Sequence, residues 1–286
     1  MNEKFKKIDN IGLIIRPYSN LLTVVKRLEK VINDRGLSFY IEKEGAKFLG
    51  LKDGVPFNEL IKKSDILVSL GGDGTLLSAC RRVYGLNIPI LGIHAGELGF
   101  LTDIKENEIK ECIDSLVAND FKIDERIMLQ VTLHKDGREK STVAFNDVVF
   151  SRAAVSQMAK IEAFVNGKSF NTYHGDGVIV STPTGSTAYN LSAGGPILYP
   201  MAKALILTPI CPHSLTQRPL VLTSEFEIKL KSQDETILVV DGQDKYEMSN
   251  FDFVEIKVAK EYAKLIHASK RDYFDILKEK LRWGNA

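Results

Sequence analysis

The chain has 286 residues, 44% hydrophobic and 26% charged, which excludes a disordered, collagen-like or low-complexity polymer and predicts a soluble protein of about two domains. Lys and Arg number 38 against 37 Asp and Glu, a formal net charge of +1, so no global field draws the chain to nucleic acid or to an anionic membrane. Any anion must be held by a local site.

The polar start MNEKFKKIDN carries no signal-peptide pattern, and no apolar run approaches the roughly 18 residues of a transmembrane helix. From Ile11 to Arg16, IGLIIR predicts a short buried strand, and Pro17 with Ser19-Asn20 predicts a turn and a helix N-cap. Leu21, Val24, Val25, Leu28, Val31 and Ile32 recur at helical spacing, with Gly36 just past the pattern, where a left-handed residue ends a helix. Asp65 to Leu70 is a second apolar run that passes through Gly71-Gly72-Asp73-Gly74-Thr75 into the helix-like TLLSACRRVYG. Ile88 to Ile93 predicts another strand ending in HAGELGF, and Glu106 to Val117 an amphipathic helix. Strands alternating with helices imply an open α/β, Rossmann-like domain with a parallel sheet.

After about Ile123 the apolar pattern shortens to alternation. MLQVTLHKDGREKSTVAFNDVVF predicts two strands around Lys135-Asp136-Gly137, and KIEAFVNGKSFNTY two more around Asn166-Gly167. FEIKLKS, TILVVDGQDKYEM and DFVEIKVAKEY continue the style, so the second domain is expected to be β-rich, predominantly antiparallel and sandwich-like. RDYFDILKEKLRW predicts a final helix with Tyr273, Phe274, Leu277 and Leu281 on one stripe. The expected division is 1–123 with 268–286 for the α/β domain and 124–267 for the β-rich one. Cys80, Cys112 and Cys211 are odd in number and form no C-x-x-C pair, which suits a reducing cytoplasm.

LGGDGT carries the first chemistry. Glycines between a buried strand and a helix let the backbone approach a ligand and aim amides at phosphate, which makes Gly71, Gly72 and Thr75 candidate phosphate contacts. A carboxylate at Asp73 would repel a polyphosphate, so its presence needs a reason. It is either a general base for a hydroxyl that attacks a phosphoryl group, or an N-cap in a tight turn; the glycines and Thr75 around it favour the base. From Gly175 to Pro196, GDGVIVSTPTGSTAYNLSAGGP strings hydroxyls among glycine bends. Its buried VIV and its Tyr189 argue against a plain linker; such a loop can wrap ribose, phosphate and amide groups, with Asp176 accepting from sugar hydroxyls. Asn146-Asp147 interrupts a strand either as a β-bulge or as a polar grip on a ligand, and Gln243 belongs either to a plain hairpin turn or to a ligand contact.

Several familiar patterns are absent. Gly72-Asp73-Gly74 runs into Thr75-Leu76-Leu77 and so lacks the dinucleotide fingerprint G-x-G-x-x-G. Gly167-Lys168-Ser169 has Glu162 where a P-loop needs its first glycine, and neither H-E-x-x-H nor G-x-S-x-G occurs. His94 and His174 lie beside the polar loops, a position in which single histidines are more often structural or exposed.

Together, GGDGT at 71–75, HAGELGFLT at 94–102, FNDVVFSR at 145–152, DGVIVSTPTGSTAYNLSAGGPI at 176–197, LTPICPHSLTQRPLVL at 207–222 and DGQ at 241–243 resemble the NAD kinase family, the ATP or polyphosphate NAD kinases. The resemblance implies Mg²⁺-dependent transfer of a terminal phosphoryl group from ATP or polyphosphate to the 2′-hydroxyl of the adenosine ribose of NAD, giving NADP. It also implies residue roles. Asp73 would accept the proton, with Gly74 beside it at the ribose, Phe100 near the adenine, and Asn146 and Asp147 on the adenosine part. Asp176 with Thr187, Ala188, Tyr189, Asn190, Leu191 and Ser192 would line the dinucleotide site, and Gln243 would close it. That site would lie between the two domains, Mg²⁺ would ride on the nucleotide phosphates, and the chain would form a homodimer or homotetramer.

Three positions depart from the family pattern: Asp147 stands where Glu is common, His94 where Asn is common, and His174 where many members carry Arg. A smaller, usually neutral imidazole repels a charged nicotinamide less and clamps less, which predicts that NADH is accepted as well. The rival readings are a lipid or sugar kinase sharing the glycine turn, which has no need of the STPTGSTAYNLS loop, and a catalytically silent NAD sensor, which leaves Asp73 unexplained.

Overall fold

The alternation read along the first third of the sequence becomes a parallel sheet in the computed structural model, which describes residues 7–16, 21–96, 99–154, 158–268 and 271–284. The chain divides into one unit of Met1–Asp124 with Lys264–Ala286 and a second of Glu125–Ala263. The turn and cap expected at Pro17 and Ser19-Asn20, and Glu97-Leu98 of HAGELGF, lie outside the described residues.

In the first unit, chain order is β1 (Asn10–Ile15), α1 (Leu21–Asn33), β2 (Ser38–Ile41), α2 (Lys43–Phe48), α3 (Phe57–Lys63), β3 (Ile66–Gly71), α4 (Asp73–Arg82), β4 (Ile90–His94), α5 (Ile109–Val117) and β5 (Lys122–Arg126). The apolar stripe of α1 packs with Ile109, Cys112, Ile113 and Leu116 of α5 and with β1, β3 and β4 in one core. Gly36 has φ +72 just past the helix, the conformation its position predicted.

The second unit contains β6 (Leu129–Lys135), β7 (Arg138–Ala144), β8 (Asp147–Arg152), β9 (Ala159–Val165), β10 (Lys168–Gly175), β11 (Gly177–Ser181), the single-turn α6 (Tyr189–Ser192), β12 (Ala204–Ile210), β13 (Leu220–Thr223), β14 (Ile228–Lys231), β15 (Thr236–Val240), β16 (Asp244–Glu247) and β17 (Phe253–Val258). They form two antiparallel sheets, β10-β9-β14-β17-β6-β7 and β13-β12-β11-β8-β15-β16, that share one apolar core. Asp136-Gly137 and Asn166-Gly167 take positive φ at the tips of their hairpins. Asn146 is neither in a bulge nor within a strand: β7 ends at Ala144 in one sheet and β8 begins at Asp147 in the other, so this is where the chain crosses the sandwich.

The chain then returns to the first unit through β18 (Ala263–His267), whose residues 263–267 the alternation had grouped with the β-rich part. β18 instead runs parallel to β4, giving the order β2-β1-β3-β4-β18-β5, because strand periodicity reports burial and not which sheet receives the strand. α7 (Tyr273–Leu281) opens with an Asp272/Asp275 capping box. Its buried positions are Ile276 and Leu277 while Phe274 is exposed, so the expected stripe is rotated: Leu277 is common to both faces, and docking selects the one containing Ile276.

Candidate functional site

β3 carries the chain to Gly71 at the carboxyl end of a central parallel strand, where ligand crevices form in open α/β sheets. A Cβ on Gly71 would overlap the Thr75 hydroxyl, so the strand passes into α4 only without a side chain there. Gly72 precedes the helix and Asp73 is its first residue, where negative charge complements the helix dipole. Asp73 is thus not the N-cap. Its carboxylate turns to the loop after β4: Oδ2 accepts the Phe100 amide at 2.8 Å, and Oδ1 accepts the Leu101 amide, the Thr102 amide and the Thr102 hydroxyl, each at 3.1 Å. Glycine is required at 99, since a Cβ would overlap Asp73 Oδ1. With two lone pairs per oxygen, Oδ2 keeps acceptor capacity and Oδ1 keeps none. Burial holds His94, in register with Gly71, below the usual imidazole range, so it is neutral at pH 7.

The second unit carries a cavity of about 590 Å³. Side chains along β8 and β15 alternate between faces: Val148, Phe150, Leu238 and Val240 enter the sandwich core, whereas Val149 and Val239 point outward with Ile210 and form the apolar floor of the cavity. Asp241 and Gly242, with φ +52 and +64, turn the β15–β16 hairpin at its rim. The Asp241 carboxylate accepts the amides of Phe145 and Asn146 at 2.7 Å and of Asp147 at 3.0 Å, and so fixes the crossing between sheets. Asn146 lines the cavity with its side-chain oxygen buried and lacking a hydrogen-bond partner among the described residues, a deficit that a ligand N–H or O–H would relieve. Burial, reinforced by the charge of Asp241, pushes the Asp147 carboxyl up to about 7.

The hydroxyl-rich loop is a folded cap. Thr182 donates to the Phe145 carbonyl at 2.8 Å and accepts the Gly185 amide at 3.0 Å. The fully buried Asn190 donates to the carbonyls of Ser186 and Pro196 at 3.1 and 3.0 Å and accepts the Thr208 hydroxyl at 2.7 Å. These bonds leave Ala188 and Tyr189 on the cavity wall.

Residues 11–121 match the ATP-NAD kinase N-terminal domain, and residues 145–268 the ATP-NAD kinase C-terminal domain. The chain belongs to the NAD kinase family. It is 50% identical to the NAD kinase of Sulfurimonas denitrificans over 98% of this chain and 99% of that one, and 46% identical to an NAD kinase of Campylobacter jejuni over 98% of each. Among solved structures it is similar to yeast NADH kinase complexed with NADH, with a TM-score of 0.87 and 25% identity over 98% of this chain and 89% of that chain. It is also similar to an NAD kinase from Archaeoglobus fulgidus in complex with ATP, with a TM-score of 0.77 and 25% identity over 96% and 98%.

Of the residues that the NAD kinase resemblance assigns to the dinucleotide, Asn146, Asp147, Asp176, Ala188 and Tyr189 line one cavity. Thr187, Asn190, Leu191, Ser192 and Gln243 are not part of its lining: the Thr187 hydroxyl donates to the Thr184 carbonyl at 3.3 Å, and the Gln243 amide closes the hairpin on Val240 at 2.9 Å. His174 is exposed on β10 and also lies outside the lining. Gly71, Gly72, Asp73, Gly74, Thr75 and Phe100 belong to the α/β unit. Sequence reasoning did not single out Arg152, Ser151, Asp241, Gly242 or the floor residues Val149, Ile210 and Val239, all of which line the cavity. The floor was hidden because VVF at 148–150 reads as a run buried on both faces, and a ligand-facing valine carries the same signature as a core one.

Proposed function

We infer that this NAD kinase binds NAD in the cavity of the β-rich unit and moves the terminal phosphoryl group of ATP to the 2′-hydroxyl of the adenosine ribose, giving NADP. The observation that carries the reading is the cavity itself. An apolar floor suits an aromatic base, while Asn146, Asp147 and Asp176 offer acceptors to amide and hydroxyl donors. In the transfer, a bond forms between the ribose 2′-oxygen and the terminal phosphorus as the bond to the bridging oxygen breaks, and ADP departs with that electron pair. Asp73 receives the hydroxyl proton at Oδ2, the oxygen with one donor. The α4 N-terminus, with Gly71, Gly72 and Thr75 around it, supplies the positive end of the site, Gly74 lies at the ribose, and Phe100 packs by the adenine.

Among the described residues there is no group of three or more His, Cys, Asp or Glu side chains that could hold a metal. Mg²⁺ would come with the nucleotide and spread the charge of its phosphates. We propose acceptance of NADH beside NAD from the smaller imidazole of His174 where many members of the family carry Arg, although His174 is not part of the cavity lining. Cytoplasmic residence suits three free cysteines, of which Cys80 and Cys112 are buried, and a homodimer or homotetramer is the assembly we propose. Polyphosphate remains an alternative donor with the same anionic oxygens.

Incubation of the purified protein with Mg²⁺ and either ATP or polyphosphate, offering NAD or NADH, tests all of this together. NADP from NAD with ATP, and NADPH from NADH, are expected. Absence of phosphorylated dinucleotide from every pairing would overturn the reading.

A further inference from the structure

The cavity lining carries an ion pair between Arg152 and Asp176 whose purpose neither the fold nor the transfer step explains. Of the carboxylates lining it, Asp241 grips three backbone amides, and Asp147 is largely protonated below about pH 7. Asp176 differs: its Oδ1 lies 3.0 Å from the Nε of Arg152, and its other oxygen has no hydrogen-bond partner among the described residues. Both side chains line the cavity and both are half-buried.

The backbone beneath this carboxylate is held on two sides. The Asp176 amide donates to the Ile210 carbonyl, and the Arg152 amide to the Asp176 carbonyl, each at 3.0 Å. The flanking residues are both glycine because neighbouring strands press against them. A Cβ on Gly175 would come within 2.7 Å of the Cys211 carbonyl oxygen, and one on Gly177 within 2.5 Å of that of Phe150. The main chain at 175–177 therefore has little freedom, and the remaining freedom of Asp176 is rotation of its own carboxylate. The Arg152 guanidinium is the charge paired with that carboxylate.

We propose that Arg152 is a positioning residue for dinucleotide binding: its guanidinium, ion-paired with Oδ1, orients Asp176 so that the second carboxylate oxygen faces a sugar hydroxyl in the cavity. The assignment rests on NAD occupying this cavity. It gives Arg152 an effect on affinity through geometry, since a carboxylate held in place loses no orientational freedom when the sugar hydroxyl docks on it.

Three substitutions separate orientation from charge. Arg152→Gln places an amide nitrogen as many bonds from Cβ as Nε and keeps the donor without the charge. Arg152→Lys keeps the charge one bond farther out, and Arg152→Leu keeps bulk alone. NAD affinity is read twice, by direct titration calorimetry without ATP and by KM in the coupled assay, with thermal midpoints measured to identify misfolded variants. Arg152→Leu is expected to weaken NAD binding about tenfold, acting on KM rather than kcat, and Arg152→Gln to restore most of that affinity. In a cycle with Asp176→Asn, the Leu variant is expected to add little, because both changes remove the same contact. Unchanged binding in Arg152→Leu, full additivity with Asp176→Asn, or rescue by Lys and not by Gln would each overturn the proposal. If the wild-type protein binds NAD but forms no NADP, the kinase step is what fails, and the calorimetric series still decides the role of Arg152.

Discussion

Two Asp-Gly pairs in this chain do the same thing with opposite backbones. Asp73 accepts the consecutive amides of Phe100, Leu101 and Thr102, and Asp241 accepts those of Phe145, Asn146 and Asp147. Asp73 is the first residue of a helix, whereas Asp241 takes φ +52 in a hairpin turn. Each carboxylate anchors a loop that carries proposed ligand contacts, Phe100 in one case and Asn146 with Asp147 in the other. The difference lies in what surrounds the anchor: a glycine-lined helix N-terminus at a strand end for Asp73, and the rim of an apolar-floored cavity for Asp241. An aspartate that organises a loop is therefore not thereby excluded from chemistry. Its setting decides whether a reacting group can reach it.

The comparison breaks most sharply on the two Asp→Asn variants. Asp73→Asn is expected to lower kcat by about 10²–10⁴ while NAD still binds, the range for removal of a positioned base. Asp241→Asn, which sets an amide against donors it cannot accept from fully, is expected to cost about 1–3 kcal/mol of stability and to weaken NAD binding, with a smaller effect on kcat. Parallel kinetics and thermal melts on the pair check this, and equal kcat losses would erase the distinction. Next in size is Gly99→Ala. Its methyl group would displace the Asp73 carboxylate, so kcat is expected to fall by about tenfold or more, the penalty of a misplaced group, with the fold retained in circular dichroism.

The smallest effects are pH-dependent and also contrast the two units. In the α/β unit, burial works against a charge on His267, yet hydrogen bonds and charge from Asp103 and Asp124 push it up to about 9. The folded state thus binds the proton more tightly than the unfolded one. That stability is complete below about pH 6.5 and disappears as pH rises through about 9. The melting-temperature gap between wild type and His267→Phe should therefore narrow from pH 7 to 10. In the β-rich unit, Asp147 gives a slope of the same sign in a lower window: with its carboxyl raised to about 7, stability falls as pH rises from about 4 to 7, and Asp147→Asn should flatten that slope. A slope that survives in the Asn variant would assign it to another group.

Much of the framework was legible in the sequence because it is locally encoded. The stripe of α1, the Gly36 stop, the Asp136-Gly137 and Asn166-Gly167 hairpins and the strand-glycine-helix passage at 66–82 each follow from spacing and backbone preference. What escaped was set by distant partners. β2 is a half-exposed edge strand without an apolar pattern, β18 changes sheets, and the buried face of α7 depends on its docking. At the site, the motif that named Asn190 could not show that its amide is committed to Ser186, Pro196 and Thr208, nor that Tyr189 next to it faces the cavity. A polar side chain in a loop looks the same in sequence whether it holds the loop or the ligand.

The most direct measurement is a crystal structure of the protein with NAD bound. The adenosine 2′-hydroxyl within hydrogen-bond distance of Asp73 Oδ2, with the Phe100–Thr102 amides still on the carboxylate, is the expected result. A ribose hydroxyl beyond direct reach of Asp73, or dinucleotide outside the cavity floored by Val149, Ile210 and Val239, would contradict the assignment of both the base and the binding site.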